Sequence, residues 1–199
     1  GYDCVRINHI GDWGTQFGKL ISAYKRWGDP KDLESDPIVK LQELYVRFNM
    51  EAELDASMDE DARAWFKRLE DGDQEAMRLW QWFKDISIEE FDRIYSLMGI
   101  GFDSYAGESF YNDKMDATLA RLKSAGLVSE SQGALIVDLE EYDMPPCLLQ
   151  KSDGATLYAT RDITAALYRY ETYGFDRLIY VVGAPQSLHF KQVFKVLEL

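Results

Sequence analysis

Residues 155–199 read ATLYATRDITAALYRYETYGFDRLIYVVGAPQSLHFKQVFKVLEL, and their alternation of short apolar runs with helical periods decides the fold class. ATLYAT and RLIYVV have strand composition. Between them, RDITAALYRYETYG places Ile163, Ala166, Leu167 and Tyr170 on one helical stripe. Residues 187–199 do the same with Phe190, Val193, Phe194 and Leu197. Strand, helix, strand, helix predicts crossover connections and therefore a doubly wound, Rossmann-type α/β fold with a parallel sheet.

Moving outward, ALIVDL and CLLQK read as further strands, and DKMDATLARLKSAG as the helix before them. Residues 51–93 hold 14 Asp or Glu against 6 Lys or Arg. Within them, ARAWFKRLEDGD and QEAMRLWQWFKD read as amphipathic helices joined around Gly72, and Ser87 with Glu90 forms a capping box opening another. A helix starts at Asp36 with Pro37 in its first turn. At the amino end GYDCVRIN reads as a strand. It leads through a glycine-bearing turn to a helix with Phe17, Leu20, Ile21, Tyr24 and Trp27 on one face, closed by Gly28 as a left-handed cap. The expected organisation is an α/β core portion over 1–35, a mainly helical acidic insertion over 36–98, and a second core portion over 99–199. Both ends are abrupt, which predicts a piece of a longer polypeptide.

With 46% hydrophobic and 14% aromatic positions, the 199 residues can bury a substantial core, which excludes disorder. A net charge of -13 argues against gripping nucleic acid mainly by phosphate neutralisation. Cys4 and Cys147 fit neither a disulfide scaffold nor a metal spacing, so no metal site is expected. There is no membrane-length apolar run and no signal segment, and a cytoplasmic location is expected.

Parallel sheets place ligands beyond the carboxyl ends of their strands, which directs attention to LYATRD, GAPQSLH and NHIGDWGTQ. Asp162 stands beside Arg161 at the expected helix start, where a carboxylate is ordinarily a cap, with Tyr158 four residues earlier. Gly183 permits close approach of backbone to a ligand, while Gln186 and His189 offer directional hydrogen bonds. In SYAGES, Glu108 follows Gly107 at a sharp turn and is equally a candidate cap. Asp12, Trp13 and Gln16 lie in a two-glycine turn before a helix, a geometry able to approach phosphate, although it matches neither the dinucleotide nor the P-loop pattern.

NHIGDWGTQFGKL, YAGES, QKSDGATLYATRD and GAPQSLHFKQVF, in this order, resemble the catalytic domain of bacterial-type arginyl-tRNA synthetases, and the likeness spans essentially the whole chain. The resemblance implies that arginine is activated with ATP and Mg2+ to arginyl-adenylate and pyrophosphate, and the arginyl group is then passed to tRNA(Arg). It implies that Tyr158, Asp162 and Gln186 contact arginine, that Glu108 meets the guanidinium, that His189 lies on the nucleotide side, and that Asp12, Trp13, Gln16 and Gly183 shape the crevice wall. HIGD at residues 9–12 looks like the HIGH motif of class I synthetases. In this family, however, HIGH belongs to the preceding strand-helix unit and the KMSK-type loop to a later one, so residues 1–199 alone are expected to be inactive.

The residue types suit the implied substrate, because a guanidinium presents forked donors that carboxylates accept in parallel. A lysine would leave acceptors unpaired, at roughly 1–3 kcal/mol for each buried polar group. No residue is needed as nucleophile or general base, so none is expected to be catalytic in that sense, since adenylation depends on alignment and charge stabilisation. Two alternatives remain open: an acidic helical module that docks a basic partner, and another nucleotide-binding α/β enzyme.

Overall fold

Turn chemistry and apolar spacing build the helices of the first unit, residues 1–109. The computed structural model describes residues 1–152 and 154–199, with the backbone alone at Glu34; Asp153, inside the QKSDGATLYATRD segment, lies outside the described residues. Helix α1, Thr15–Trp27, buries Gly18, Ile21, Ser22 and Ala23. Helices α2 (Pro30–Ser35), α3 (Pro37–Ala52), α4 (Ser57–Glu70) and α5 (Gln74–Leu97) follow. Asp29 caps α2 by accepting from the Lys31 N–H, and Asp73 caps α5 by accepting from Glu75 and Ala76. A Cβ at Gly18 would fall 2.1 Å from the Ala62 carbonyl oxygen, so the absent side chain is what lets α1 lie close on α4. Ile21, Leu41, Trp65, Leu69, Leu79, Trp80 and Phe83 form the main apolar cluster.

Two local expectations are corrected here. Gly28 is extended (φ -75°, ψ 140°) rather than left-handed; glycine is required because a Cβ would collide with the Tyr24 ring at 2.1 Å. Ser87 does not open a helix. It lies inside the unbroken α5 and donates to the Phe83 carbonyl at 2.7 Å. A new start there would have orphaned backbone donors, whereas continuation adds one hydrogen bond per residue.

In the second unit, residues 110–199, helix α6 (Met115–Ser124) precedes the antiparallel strands β1 (Ser129–Ser131), β2 (Ala134–Val137) and β3 (Cys147–Gln150), in sheet order β1-β2-β3. Gln132 (φ 51°) and Gly133 (φ 78°) supply the two left-handed residues of the β1–β2 turn. Helices α7 (Tyr158–Tyr173) and α8 (Ser187–Glu198) complete the unit, α7 closing on left-handed Gly174 (φ 54°). Leu119, Leu122, Val137, Leu149, Ile163, Val193 and Val196 share one core. Burial pushes the Cys147 thiol up to about 11, which keeps it protonated and inert, while Cys4 is exposed.

The expected parallel pairing is reduced, among the described residues, to one bridge between Ile7 and Ser104. ATLYAT is not a strand: Thr156 makes an isolated bridge to Gln150 and the helix already begins at Tyr158. The Thr160 hydroxyl donates to the Leu149 carbonyl at 2.6 Å, and Ala159, Thr160 and Ile163 are buried together, so the helical stripe reaches one turn further back than its apolar spacing suggested. Residues 177–182 alternate as a strand would. Tyr180 packs on Phe190 at 4.7 Å between ring centroids, while Ile179 (72%) and Val181 (95%) are exposed. Period-2 patterning fixes the local geometry of such a run but cannot supply the neighbour a ladder requires. Among the described residues no helix is long and apolar enough to cross a membrane.

Candidate functional site

The expected site residues fall into two groups, one in each unit. In residues 1–109 the centre is Asp12, 3% exposed. Its Oδ1 accepts from the Ser109 backbone N–H at 2.8 Å, and its Oδ2 accepts from the Ser109 hydroxyl at 2.7 Å and from Lys84 Nζ at 2.6 Å. The Asp12 carbonyl accepts from the Trp80 indole N–H at 2.7 Å, and Lys84 lies 5.1 Å from the Trp80 ring centroid. Removing one partner of such a buried pair typically costs about 3–5 kcal/mol, because the other charge is left uncompensated.

This arrangement locks the turn at 107–109. The Glu108 N–H donates to the Ile10 carbonyl at 3.0 Å. A Cβ on Gly107 would sit 2.6 Å from that same oxygen and 2.8 Å from Asp12 Oδ1, so only glycine fits. The Glu108 carboxylate is thereby brought beside Gly11, with Oε1 3.9 Å from where a Gly11 Cβ would stand. Neighbouring Tyr105 donates to Asp92, and that hydrogen bond pushes its phenol up to about 12.

Trp13 packs edge-on against Trp80 (5.6 Å) and Phe66 (5.8 Å), which seats the turn on the helical core. Gln16 folds back so that its amide donates to the Trp13 carbonyl at 3.1 Å. It therefore stabilises its own turn.

In residues 110–199, Asp162 is not the expected helix cap. It lies one turn inside α7, where Oδ2 is 2.6 Å from His189 Nε2, with side-chain exposures of 15% and 29% respectively. The sequence separation of 27 is closed by α8 packing on α7. Tyr158 lies one turn before Asp162 on the same helix and is 60% exposed. Gln186, exposed, ends the 3-10 turn Ala184–Gln186 at the start of α8. Gly183 is extended (φ -68°), and a Cβ there would meet Pro185 only at 3.6 Å, so neither strain nor crowding requires glycine. A largely shielded carboxylate steadied by an imidazole, with an exposed phenol one helical turn away, is suited to accepting hydrogen bonds from a cation.

Lys84, Trp80 and Ser109 were not singled out by the sequence, although a lysine four residues after Trp80 on the apolar face of α5 was a usable signal. Several carboxylates of the acid-rich helices pair with nearby bases at the surface, as in Lys67–Asp71, Arg68–Asp73 and Arg93–Glu90, which is the pattern of a solvated face.

The family model described as "tRNA synthetases class I (R), catalytic domain" matches residues 1–199. The chain is 60% identical over 199 residues to the arginine--tRNA ligases of Clostridium perfringens and Clostridium acetobutylicum, covering all of this chain and 35% of each relative. Among solved structures, the arginyl-tRNA synthetase of Plasmodium falciparum superposes with a TM-score of 0.80 at 27% identity, over 98% of this chain and 33% of that one. The Thermus thermophilus arginyl-tRNA synthetase shares the fold at a TM-score of 0.64 and 21% identity, over 84% of this chain and 29% of that one. The α/β class therefore stands, although the chain spans about a third of the length of these relatives. The chain belongs to the arginyl-tRNA synthetase family of class I catalytic domains.

Proposed function

We propose that the polypeptide carrying residues 1–199 activates L-arginine with ATP, supplied as its Mg2+ complex, and passes the arginyl group to tRNA(Arg). The arginine carboxylate attacks the α-phosphorus and pyrophosphate leaves; a ribose hydroxyl of the tRNA then attacks the arginyl carbonyl carbon of the adenylate, and AMP leaves. Residues of this chain act by binding and orienting arginine. Asp162 and Glu108 accept from the guanidinium, Tyr158 lies against its stem or flat head, and Gln186 adds an amide hydrogen bond. His189 borders the nucleotide side, and Gly183 belongs to the crevice wall. Asp12, Trp13 and Gln16 form the wall.

The observation that carries the reading is the steadied Asp162 carboxylate, held at 2.6 Å by His189 one turn beyond the exposed Tyr158. The family membership supports arginine as the substrate. Isothermal titration of arginine and of lysine against the complete polypeptide and its Asp162→Asn variant tests it. Arginine binding is expected to weaken selectively, and equal loss for both amino acids refutes the assignment.

A further inference from the structure

We propose that Asp12 is a positioning residue for Glu108 and that Lys84 is the counter-charge that lets it act. The inference rests on the reading of Glu108 as a guanidinium contact and adds the device that holds it in place. Asp12 never has to touch the substrate. Both of its oxygens are committed to protein donors: Oδ1 to the Ser109 N–H, Oδ2 to the Ser109 hydroxyl and to Lys84 Nζ. The residue on the other side of Glu108 is fixed as well, because Gly107 lies against the Ile10 carbonyl and Asp12 with no room for a Cβ. The Glu108 N–H itself donates to Ile10. Three consecutive residues are therefore gripped by the 10–12 segment, and the only long side chain among them is that of Glu108.

A simple packing role would have been served by an apolar side chain at Asp12, since a buried ion pair is seldom more stable than a hydrophobic replacement. What a carboxylate adds is direction. It accepts from a backbone N–H and a hydroxyl of one residue simultaneously, which sets the orientation of the peptide next to Glu108. Lys84, 18% exposed, comes from α5 and makes the charge tolerable, while the Trp80 N–H secures the Asp12 carbonyl from the same helix. The helical lobe is thus coupled to the turn that carries the candidate recognition carboxylate.

The test is steady-state pyrophosphate exchange by the complete polypeptide, with tRNA present, for Asp12→Asn, Ser109→Ala, Glu108→Gln and the Asp12→Asn/Glu108→Gln double variant. Asp12→Asn is expected to raise KM for arginine roughly tenfold through misplacement of Glu108, with KM for ATP within about twofold. Ser109→Ala keeps its backbone N–H on Asp12 and is expected to produce a smaller shift in the same direction. The double variant is expected to be no worse than Glu108→Gln alone, because residues acting as a unit are not additive. If Glu108→Gln leaves arginine KM unchanged, the underlying reading fails and takes the inference with it. If Glu108→Gln matters but the two effects multiply, or if arginine and ATP KM rise together, the reading survives and the positioning role is overturned. Should Asp12→Asn not fold, Ser109→Ala and its double variant with Glu108→Gln decide by the same criteria.

Discussion

Asp162 illustrates how a residue changes meaning between sequence and structure. Its position beside Arg161 reads as a helix cap, yet the helix starts a turn earlier and the carboxylate meets His189 instead. Replacing it by Asn keeps the shape and removes the charge, and the expected loss in arginine affinity is about 1.5–3 kcal/mol, the range of a charge-assisted hydrogen bond, read by titration calorimetry. Tyr105 supplies a pH prediction. Its folded-state pKa of about 12 lies above the ordinary 10.0, so the phenol's contribution to stability is complete below pH 10 and is lost as pH rises through 12. Denaturant unfolding at pH 9 to 12 is expected to show a steeper alkaline loss for the parent than for Tyr105→Phe. Parallel curves would remove the Tyr105–Asp92 bond as the cause.

Elements follow from sequence where the apolar period is long and fail where a start or stop depends on a distant partner. The faces of α1 and α8 were legible because Ile21, Phe190 and Val193 recur at helical spacing. The continuity of α5 through Ser87 was not, since a capping box is a local signal, and here the Ser87 hydroxyl donates to the Phe83 carbonyl within an unbroken helix. Gly18 was unremarkable in sequence, and its importance comes from the Ala62 carbonyl that crosses it. Gly18→Ala should gain helix propensity but overpack the α1–α4 contact, for a net destabilisation of about 1–3 kcal/mol by chemical denaturation. A stabilised variant would mean that α1 can move away at no cost.

At the scale of the molecule, residues 1–109 and 110–199 each have their own core. The chain covers 35% of the length of its curated relatives. Residues 1–199 expressed alone are expected to give no pyrophosphate exchange above background with arginine, ATP and tRNA(Arg). Measurable turnover would show that the nucleotide is handled without the HIGH and KMSK-type elements.

The sequence by itself determined the family, most of the helical faces and the residue types suited to a guanidinium, because periodicity and motif order are written locally along the chain. Tertiary structure alone decided that Asp12 is buried on Lys84 and Ser109, that Asp162 leans on His189, and that residues 177–182 join no ladder among the described residues. The physical reason is the same in all three: a charge, a rotamer or a strand edge is settled by the partner that arrives from elsewhere in the chain, and neither spacing nor propensity encodes that arrival.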